Sequence, residues 1–261
     1  MPTSAGDHRE IAVSYGSDAE RYDRTRPRYP EALVERIVAA SPGRDVLDVG
    51  AGTGIAGLAF RARDCRVLGV EPDARMAAFA RRKGLDVEIA RFEEWDPAGR
   101  DFDAVVAGTV WHWVDPVVGA AQAARVLRPR GRLALFWNAF QPAPEVAEAL
   151  TGAYARAVPD LPFDWRRLNS PDSYASVLVP ASDGIRGTAA FGEPEEWRFG
   201  WDRVYTREEW LDQVPTFGGH GQLPAGRLDA LLDSVGDAVD AMGGSFSMRY
   251  SAVVLTAART G

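Results

Sequence analysis

Residues 48–54 read Asp48-Val49-Gly50-Ala51-Gly52-Thr53-Gly54, and this stretch decides the fold class. A carboxylate lies inside a short apolar strand, and glycines then alternate along a turn that opens a helix. Glycine lets the backbone turn tightly and approach a ligand closely, and the first N–H groups of a helix have no partner within the helix. The stretch therefore predicts a cofactor-binding loop at the end of a strand.

Two classes of cofactor satisfy this spacing. Gly52-Thr53-Gly54-Ile55-Ala56-Gly57 has the form G-x-G-x-x-G, and Glu71 follows at about the distance of the ribose-binding acid in dinucleotide sites. Asp48, however, already places a negative charge at the strand end, which disfavours a pyrophosphate. A sulfonium cofactor with an α-ammonium group would gain about 1 to 4 kcal/mol from a carboxylate roughly 4 Å away.

The next strand carries a second signal. Cys65-Arg66-Val67-Leu68-Gly69-Val70 has strand character and ends at Glu71-Pro72-Asp73, where a helix begins. Ligands of open α/β sheets bind at the carboxyl ends of the strands, and an acid there accepts both hydroxyls of a ribose. We therefore expect Glu71 to lie beside the glycine loop.

The two stretches together resemble a known family. D-V-G-A-G-T-G is similar to motif I, and V-L-G-V-E-P-D-A-R-M to motif II, of the class I S-adenosylmethionine-dependent methyltransferases, in particular methyltransferase type 11-like domains. The resemblance implies S-adenosyl-L-methionine as cofactor, with the exit of the third strand holding the adenine. The residues that it assigns to the cofactor are Asp48, Gly50, Ala51, Gly52, Gly54, Glu71, Pro72, Met76, Phe92 and Glu93.

An aromatic segment follows the fourth strand. Ala107-Gly108-Thr109 leads into Trp111-His112-Trp113, which resembles a subgroup that includes trans-aconitate methyltransferase-like enzymes. There His112 is a candidate to accept or share a substrate proton, since its reference pKa is near 6.5. A structural role, with the ring bonded to a backbone carbonyl, remains the alternative. Thr109 is a cofactor candidate, although many relatives carry Ser-Ala-Gln before the aromatic pair.

Further candidates come from the two flanks of this core. Tyr22 and Arg26 belong to a tyrosine- and arginine-rich stretch that resembles the subgroup's amino-terminal cap, where an arginine would bind a carboxylate. An aromatic-rich insertion is expected to form a substrate lid. The candidates to line the acceptor pocket are Trp111, Trp113, Trp165 and Tyr174.

The order of the elements predicts an α/β fold. Strands are expected near 45–50, 65–70, 86–91, 103–109 and 131–138, with helices between them, and this alternation indicates a parallel sheet covered on both faces. The resemblance implies a Rossmann-like, seven-stranded, mostly parallel sheet whose last strand is antiparallel, with an inserted helical cap. The expected divisions are a cap with the first helix over 1–44, the cofactor-binding core over 45–138, the lid over 139–195 and the completion of the core over 196–261.

Composition limits the classes of partner. The 261 residues carry a net charge of −7, which argues against nucleic acid as a principal partner. No apolar run is long enough to span a membrane, and one cysteine excludes a multi-cysteine metal site, so no metal and no membrane are expected. We expect a cytoplasmic protein that acts on a small molecule; its oligomeric state stays open.

The resemblance to the methyltransferases implies an enzyme that transfers a methyl group to a small-molecule acceptor, and we expect the acceptor atom to be an oxygen of a carboxylate or hydroxyl. Two alternatives stay open. One is an NAD-dependent oxidoreductase that uses the Gly52-x-Gly54-x-x-Gly57 loop, and the other is a non-catalytic partner protein that binds the cofactor.

Overall fold

A seven-stranded sheet organises the chain. The computed structural model describes residues 15–161, 163–169 and 174–261. The sheet order is β3-β2-β1-β4-β5-β7-β6, so the order reverses beside β1, where the chain crosses from β3 to β4. The strands are β1 (Asp45–Val49), β2 (Arg66–Val70), β3 (Asp86–Glu88), β4 (Phe102–Gly108), β5 (Leu127–Pro142), β6 (Glu195–Thr206) and β7 (Ser245–Ala258).

The first five strands are parallel, and the last strand runs the other way. β1 pairs in parallel with β2 and β4, as do β2 with β3 and β4 with β5. The Arg259 N–H donates to Gly131 O at 2.8 Å and the Arg130 N–H donates to Arg259 O at 3.2 Å, which is the reciprocal pattern of antiparallel neighbours. The predicted fold class is confirmed.

Helices connect the strands and are described at these bounds: Ala19–Thr25, Glu31–Ala39, Ile55–Arg61, Ala74–Arg82, Pro116–Val126, Pro144–Ala157, Ala175–Gly187, Arg207–Gln213 and Ala225–Ala241. Side chains alternate between the two faces of the sheet, as in any strand. In β4, Ala104 and Val106 pack with the helix Glu31–Ala39, whereas Val105 and Ala107 pack with the helix Pro116–Val126. Both faces are therefore covered.

The strand β5 differs from its predicted range of 131–138. It begins at Leu127, because Phe102 pairs with Leu127 before the register shifts and Ala104 pairs with Arg132. Arg130 has φ +64° at this irregularity. Pro129 and Gly131 thus lie in a bulged strand.

The chain divides into two compact units and passes between them five times, and three of these passages lie within β5, β6 and β7. The first unit contains the described residues of 1–26, 139–173 and 200–251, around the fully buried Tyr154, Trp165 and Trp210. The second unit contains 27–138, 174–199 and 252–261, with β1 to β4. The predicted insertion contributes to both, through the helix Pro144–Ala157 in the first and the helix Ala175–Gly187 in the second. Its role as a lid stays a prediction.

Candidate active site

The candidate site lies in the second unit, at the carboxyl ends of β1, β2 and β4. These strands are neighbours, and β1 lies where the strand order reverses. Such a reversal opens a crevice at the edge of a parallel sheet, which is where ligands of this architecture bind. The motifs identified in the sequence meet there.

The glycine loop adopts a conformation that side chains would prevent. Gly50 has φ +62°, and a Cβ on it would lie 2.2 Å from Val110 Cγ2. Gly52 has φ +54°, but a Cβ there would meet only Gly50 O, at 3.9 Å. Gly50 is thus needed for packing against the exit of β4, whereas Gly52 keeps space open above the loop. Gly54, with φ +86°, precedes the helix Ile55–Arg61.

Glu71 is bonded to this loop. Its Oε2 accepts the Gly52 N–H at 2.8 Å, and its Oε1 accepts the Asp73 N–H at 2.9 Å. Burial raises the pKa of the Glu71 carboxyl, and the two backbone N–H groups oppose that rise. Both oxygens are thereby oriented at the end of β2. Of the other motif II candidates, Pro72 is exposed and Met76 is buried.

Asp48 lies beneath the loop and is 1% exposed. Neither carboxylate oxygen has a hydrogen-bond partner in normal geometry among the described residues, and Thr53 Oγ1 is also buried without one. A Cβ on Gly57 would lie 2.8 Å from Oδ2. Burial raises the pKa of Asp48 to about 7, with Glu71 adding to the rise and the Gly57 N–H opposing it. Direct contact with a cofactor ammonium group stays a prediction for this residue.

The exit of β3 carries a network that the sequence did not reveal. Phe92 is 3% exposed, and Glu93 Oε1 accepts the Asp115 N–H at 3.2 Å. Glu88 binds both guanidinium nitrogens of Arg100, at 2.7 and 3.0 Å, and this pairing holds its pKa below the ordinary value. Glu88 also accepts the Trp95 indole N–H. Glu88 therefore fixes the segment that presents Phe92.

Thr109 ends β4 in an unusual backbone conformation. Its φ is +57°, and its N–H donates to Phe136 O at 2.7 Å. Its hydroxyl lies 2.8 Å from the Tyr29 hydroxyl, and the Tyr29 ring packs edge-on against Phe136. Sequence reasoning missed Tyr29, although its position in Pro-Arg-Tyr-Pro, just before a helix, was a usable signal.

The aromatic segment forms a short 3-10 helix, Trp111–Trp113, with two different environments. Trp111, a candidate to line the acceptor pocket, is 2% exposed and packs in the core against Phe92. His112 is exposed, with its ring 4.7 Å from that of Trp113 between centroids. The Trp137 indole N–H donates to His112 Nδ1 at 3.4 Å. Trp137 is a second residue that the sequence did not identify.

The remaining candidates lie in different units. Tyr22, Arg26 and Trp165 belong to the first unit, where the Arg26 guanidinium stacks on Tyr22 and Trp165 is completely buried. Tyr174 belongs to the second unit, and its hydroxyl donates to Asn138 O at 3.3 Å. Roles for these four residues in binding stay predictions.

Residues 15–161, 163–169 and 174–261 contain neither a candidate metal site nor a candidate membrane-spanning helix. This part of the chain contains no group of three or more His, Cys, Asp or Glu side chains arranged to hold a metal ion. It also contains no helix that is both long and apolar enough to cross a membrane.

The loop fits S-adenosylmethionine better than a dinucleotide. Gly52 leaves open space, an oriented carboxylate stands at the end of β2, and an unpartnered carboxylate lies beneath the loop. A pyrophosphate would need loop N–H groups, but Glu71 already takes that of Gly52, and two carboxylates would repel it.

Comparison with known proteins agrees with this fit. Residues 47–135 match the family described as a methyltransferase domain. A malonyl-[acyl-carrier protein] O-methyltransferase from Enterobacter lignolyticus is 31% identical over 190 residues, which cover 70% of this chain and 71% of that protein. A trans-aconitate 2-methyltransferase from Mycobacterium ulcerans is 32% identical over 60% of this chain and 62% of that protein.

Other relatives match over a shorter length. An uncharacterized methyltransferase from Mycobacterium tuberculosis is 38% identical over 135 residues, so the chain spans about half the length of that relative, with 50% of this chain and 54% of that protein covered. A solved structure from Anaeromyxobacter dehalogenans, assigned to the type II methyltransferases, shares the fold with a TM-score of 0.60, at 24% identity over 90% of this chain and 97% of that one. The chain belongs to the class I S-adenosylmethionine-dependent methyltransferase family.

Proposed function

We propose that the protein transfers the methyl group of S-adenosylmethionine to an oxygen of a small-molecule acceptor. The observation that carries the proposal is the hydrogen bond from the Gly52 N–H to Glu71. It places a carboxylate at the loop, at the point where a dinucleotide site would offer free N–H groups to a pyrophosphate. When bound, the cofactor supplies an electrophilic methyl group, which the acceptor oxygen attacks while the C–S bond breaks and its electron pair stays on sulfur.

The residues divide this task among themselves. Glu71 accepts hydrogen bonds from the ribose hydroxyls of the cofactor. The backbone of the loop lies along the amino-acid end of the cofactor, through Gly50, Ala51, Gly52 and Gly54. Asp48 lies beneath the loop and contributes a negative electrostatic potential there. Phe92, Glu93, Pro72 and Met76 border the adenine. Thr109 and His112 lie at the exit of β4, where the acceptor approaches, with Trp113 and Tyr174 in the same unit.

An oxygen acceptor is supported by the relatives. One is named for O-methylation of malonyl-[acyl-carrier protein] and another for methylation of trans-aconitate, and both names denote acids. Methyl transfer to such a group rests on positioning two bound reactants rather than on a strong base. The proposed compartment is the cytoplasm, whose reducing conditions suit the single, buried Cys65 thiol.

Calorimetry with S-adenosylhomocysteine and with NADH, run in parallel on the same protein, tests the cofactor. We expect S-adenosylhomocysteine to bind and NADH not to bind; the reverse result would revive the oxidoreductase. Methyl-labelled S-adenosylmethionine is then incubated with a mixture of small carboxylic acids, trans-aconitate among them. Binding without any labelled product from this or from broader acceptor mixtures would favour the non-catalytic alternative.

A further inference from the structure

Thr109 has a backbone conformation that a β-branched residue rarely adopts. Its φ is +57°, in the left-handed region, where Cβ crowds the following carbonyl oxygen. Such a conformation persists only where neighbouring groups hold it, and it occurs most often at functional sites. The Thr109 N–H donates to Phe136 O at 2.7 Å, and the Thr109 hydroxyl lies 2.8 Å from the Tyr29 hydroxyl. Tyr29 therefore contacts the strained residue through its side chain.

Tyr29 is placed by the elements on both sides of it. It precedes Pro30, which restricts its backbone to extended conformations and leads directly into a helix. The Asn138 side-chain amide donates to Arg28 O at 3.2 Å, so β5 fixes the residue before Tyr29. The Tyr29 ring packs edge-on against Phe136, with 4.6 Å between the ring centroids. The hydroxyl thus has a defined position beside the exit of β4.

The last residue of β4 leaves space for this ring. A Cβ on Gly108 would lie 2.8 Å from Tyr29 Oη and 2.9 Å from Phe136 Cε2, which is too close for a side chain. Glycine before Thr109 therefore allows the tyrosine hydroxyl to reach the threonine.

The turn at Thr109 places the segment that follows β4. The next residue, Val110, packs against the glycine loop, where a Cβ on Gly50 would lie 2.2 Å from it. Val110 O accepts the Trp113 N–H at 2.8 Å and closes the short helix that carries the aromatic segment. The loop is also held from β2, because the Gly50 N–H donates to Val70 O at 2.8 Å. Loss of the turn should therefore displace the aromatic segment more than the glycine loop.

We propose that Tyr29 is a positioning residue for methyl transfer. Its hydroxyl holds Thr109 in the left-handed conformation and so sets residues 111–113, on the acceptor side, relative to the cofactor loop. Tyr29 acts through Thr109 and is assigned no contact with either reactant. This proposal rests on the proposed function and adds a residue outside motifs I and II. Because transfer depends on the relative placement of two bound reactants, a small displacement lowers the rate and leaves cofactor affinity in place.

Kinetics of labelled methyl transfer test this role, with the acid that the wild type methylates best as acceptor. Tyr29→Phe keeps the ring and removes the hydroxyl, and we expect its kcat to fall by about tenfold or more. The KM for S-adenosylmethionine and the affinity for S-adenosylhomocysteine should change by less than about threefold, because the cofactor loop keeps its bond to β2. An unchanged kcat, or a loss of cofactor affinity as large as the loss of kcat, would overturn the proposal.

Tyr205→Phe is the matched control. Tyr205 is fully buried in the first unit, and its hydroxyl lies 2.6 Å from the Tyr250 hydroxyl, so this variant also breaks a bond between two hydroxyls. Its stability should fall, whereas its kcat should stay within about twofold of the wild type. An equal loss of kcat in Tyr205→Phe and Tyr29→Phe would reduce the effect to stability and contradict the proposal.

A double-mutant cycle tests whether Tyr29 acts through Thr109. Glycine adopts a positive φ without steric cost, so Thr109→Gly does not need the Tyr29 hydroxyl. In the Thr109→Gly background, Tyr29→Phe should therefore change kcat by less than about twofold. The same large loss in both backgrounds would mean that the two residues act independently, against the proposal.

Hydrogen exchange of the cofactor-free protein measures the turn without any acceptor. The Thr109 N–H should exchange about tenfold faster or more in Tyr29→Phe, and at the wild-type rate in Tyr205→Phe. Equal exchange in the wild type and Tyr29→Phe would overturn the proposal, and this measurement decides if Thr109→Gly is inactive. If Tyr29→Phe does not fold, Thr109→Val and Thr109→Ser replace it: the first removes the other hydroxyl of the bond, the second keeps it, and equal kcat in both would overturn the proposal. A wild type that binds S-adenosylhomocysteine but methylates no acceptor would instead refute the proposed function, on which this role depends.

Discussion

Replacement of Asp48 by asparagine should stabilise the cofactor-free protein at pH 8 and have a much smaller stabilising effect at pH 5. Asp48 is completely buried beneath the loop, with no hydrogen-bond partner in normal geometry among the described residues for either oxygen. Burial raises its pKa from 3.8 to about 7, so the folded protein holds this proton more tightly than the unfolded chain does. The charged form is therefore the costly one.

The magnitude follows from that difference. One pKa unit corresponds to about 1.36 kcal/mol. The rise in the pKa of Asp48 from 3.8 to about 7 therefore corresponds to about 4 kcal/mol of lost stability, once Asp48 is ionised in both the folded and the unfolded state. The protonated Asp48 carboxyl makes its full contribution to stability below pH 3.8. This contribution decreases as the pH rises toward 7, and above pH 7 the stability no longer depends on Asp48 ionisation. The amide of the variant is neutral throughout this range. The advantage of the variant over the wild type should thus widen by about 3 kcal/mol between pH 5 and pH 8.

Urea unfolding of both proteins at the two pH values measures this change, and the comparison cancels the other carboxylates. Asp45→Asn serves as control. Hydrogen bonds from Arg66 and Arg128 hold the pKa of Asp45 below its ordinary value, so Asp45 is ionised at pH 5 and pH 8 alike, and its variant should show a constant loss. A difference between wild type and Asp48→Asn that is equal at both pH values would refute the reasoning.

Three further outcomes are expected. Glu71→Gln should weaken S-adenosylhomocysteine binding by about 10- to 100-fold in calorimetry, because an amide cannot accept both N–H groups that orient the carboxylate; unchanged affinity would remove Glu71 from the site. Gly50→Ala should lower the free energy of unfolding by about 2 kcal/mol or more, because of backbone strain and the clash with Val110. Gly52→Ala should retain more stability but lose S-adenosylhomocysteine binding. The opposite ranking of the two variants in urea melts would contradict the loop geometry. Asp115→Ala should cost about 1 kcal/mol in the same melts, since the helix Pro116–Val126 loses its cap, and no loss would mean that solvent replaces it.

The sequence predicted the parts of the fold that depend on local patterns. β1 and β4 were located within about one residue, because apolar runs are sequence-local properties. The predicted start of β5 was wrong, since the pairing of Phe102 with Leu127 depends on tertiary contacts that a local sequence pattern does not show.

The candidate site divides in the same way. Gly50 and Glu71 follow motifs, and the structure brings them to one loop. Tyr29 and Trp137 come from segments far from the motifs in sequence, and only the sheet order places them at the exit of β4. Trp111 was predicted to line the acceptor pocket because the Trp111-His112-Trp113 segment follows the end of β4. The short 3-10 helix places its ring in the core, where it is 2% exposed.

The bond between Glu71 and Gly52 has an evolutionary consequence. Gly52 belongs to motif I and Glu71 to motif II, 19 positions later, and a single hydrogen bond couples the positions of the two residues. A shorter acid at position 71 would withdraw from the loop, and natural selection would then favour a compensating change in the turn. Among related chains, we therefore expect the choice of aspartate or glutamate after β2 to be correlated with the composition of the glycine loop. We also expect both to vary more slowly than the residues of the acceptor pocket.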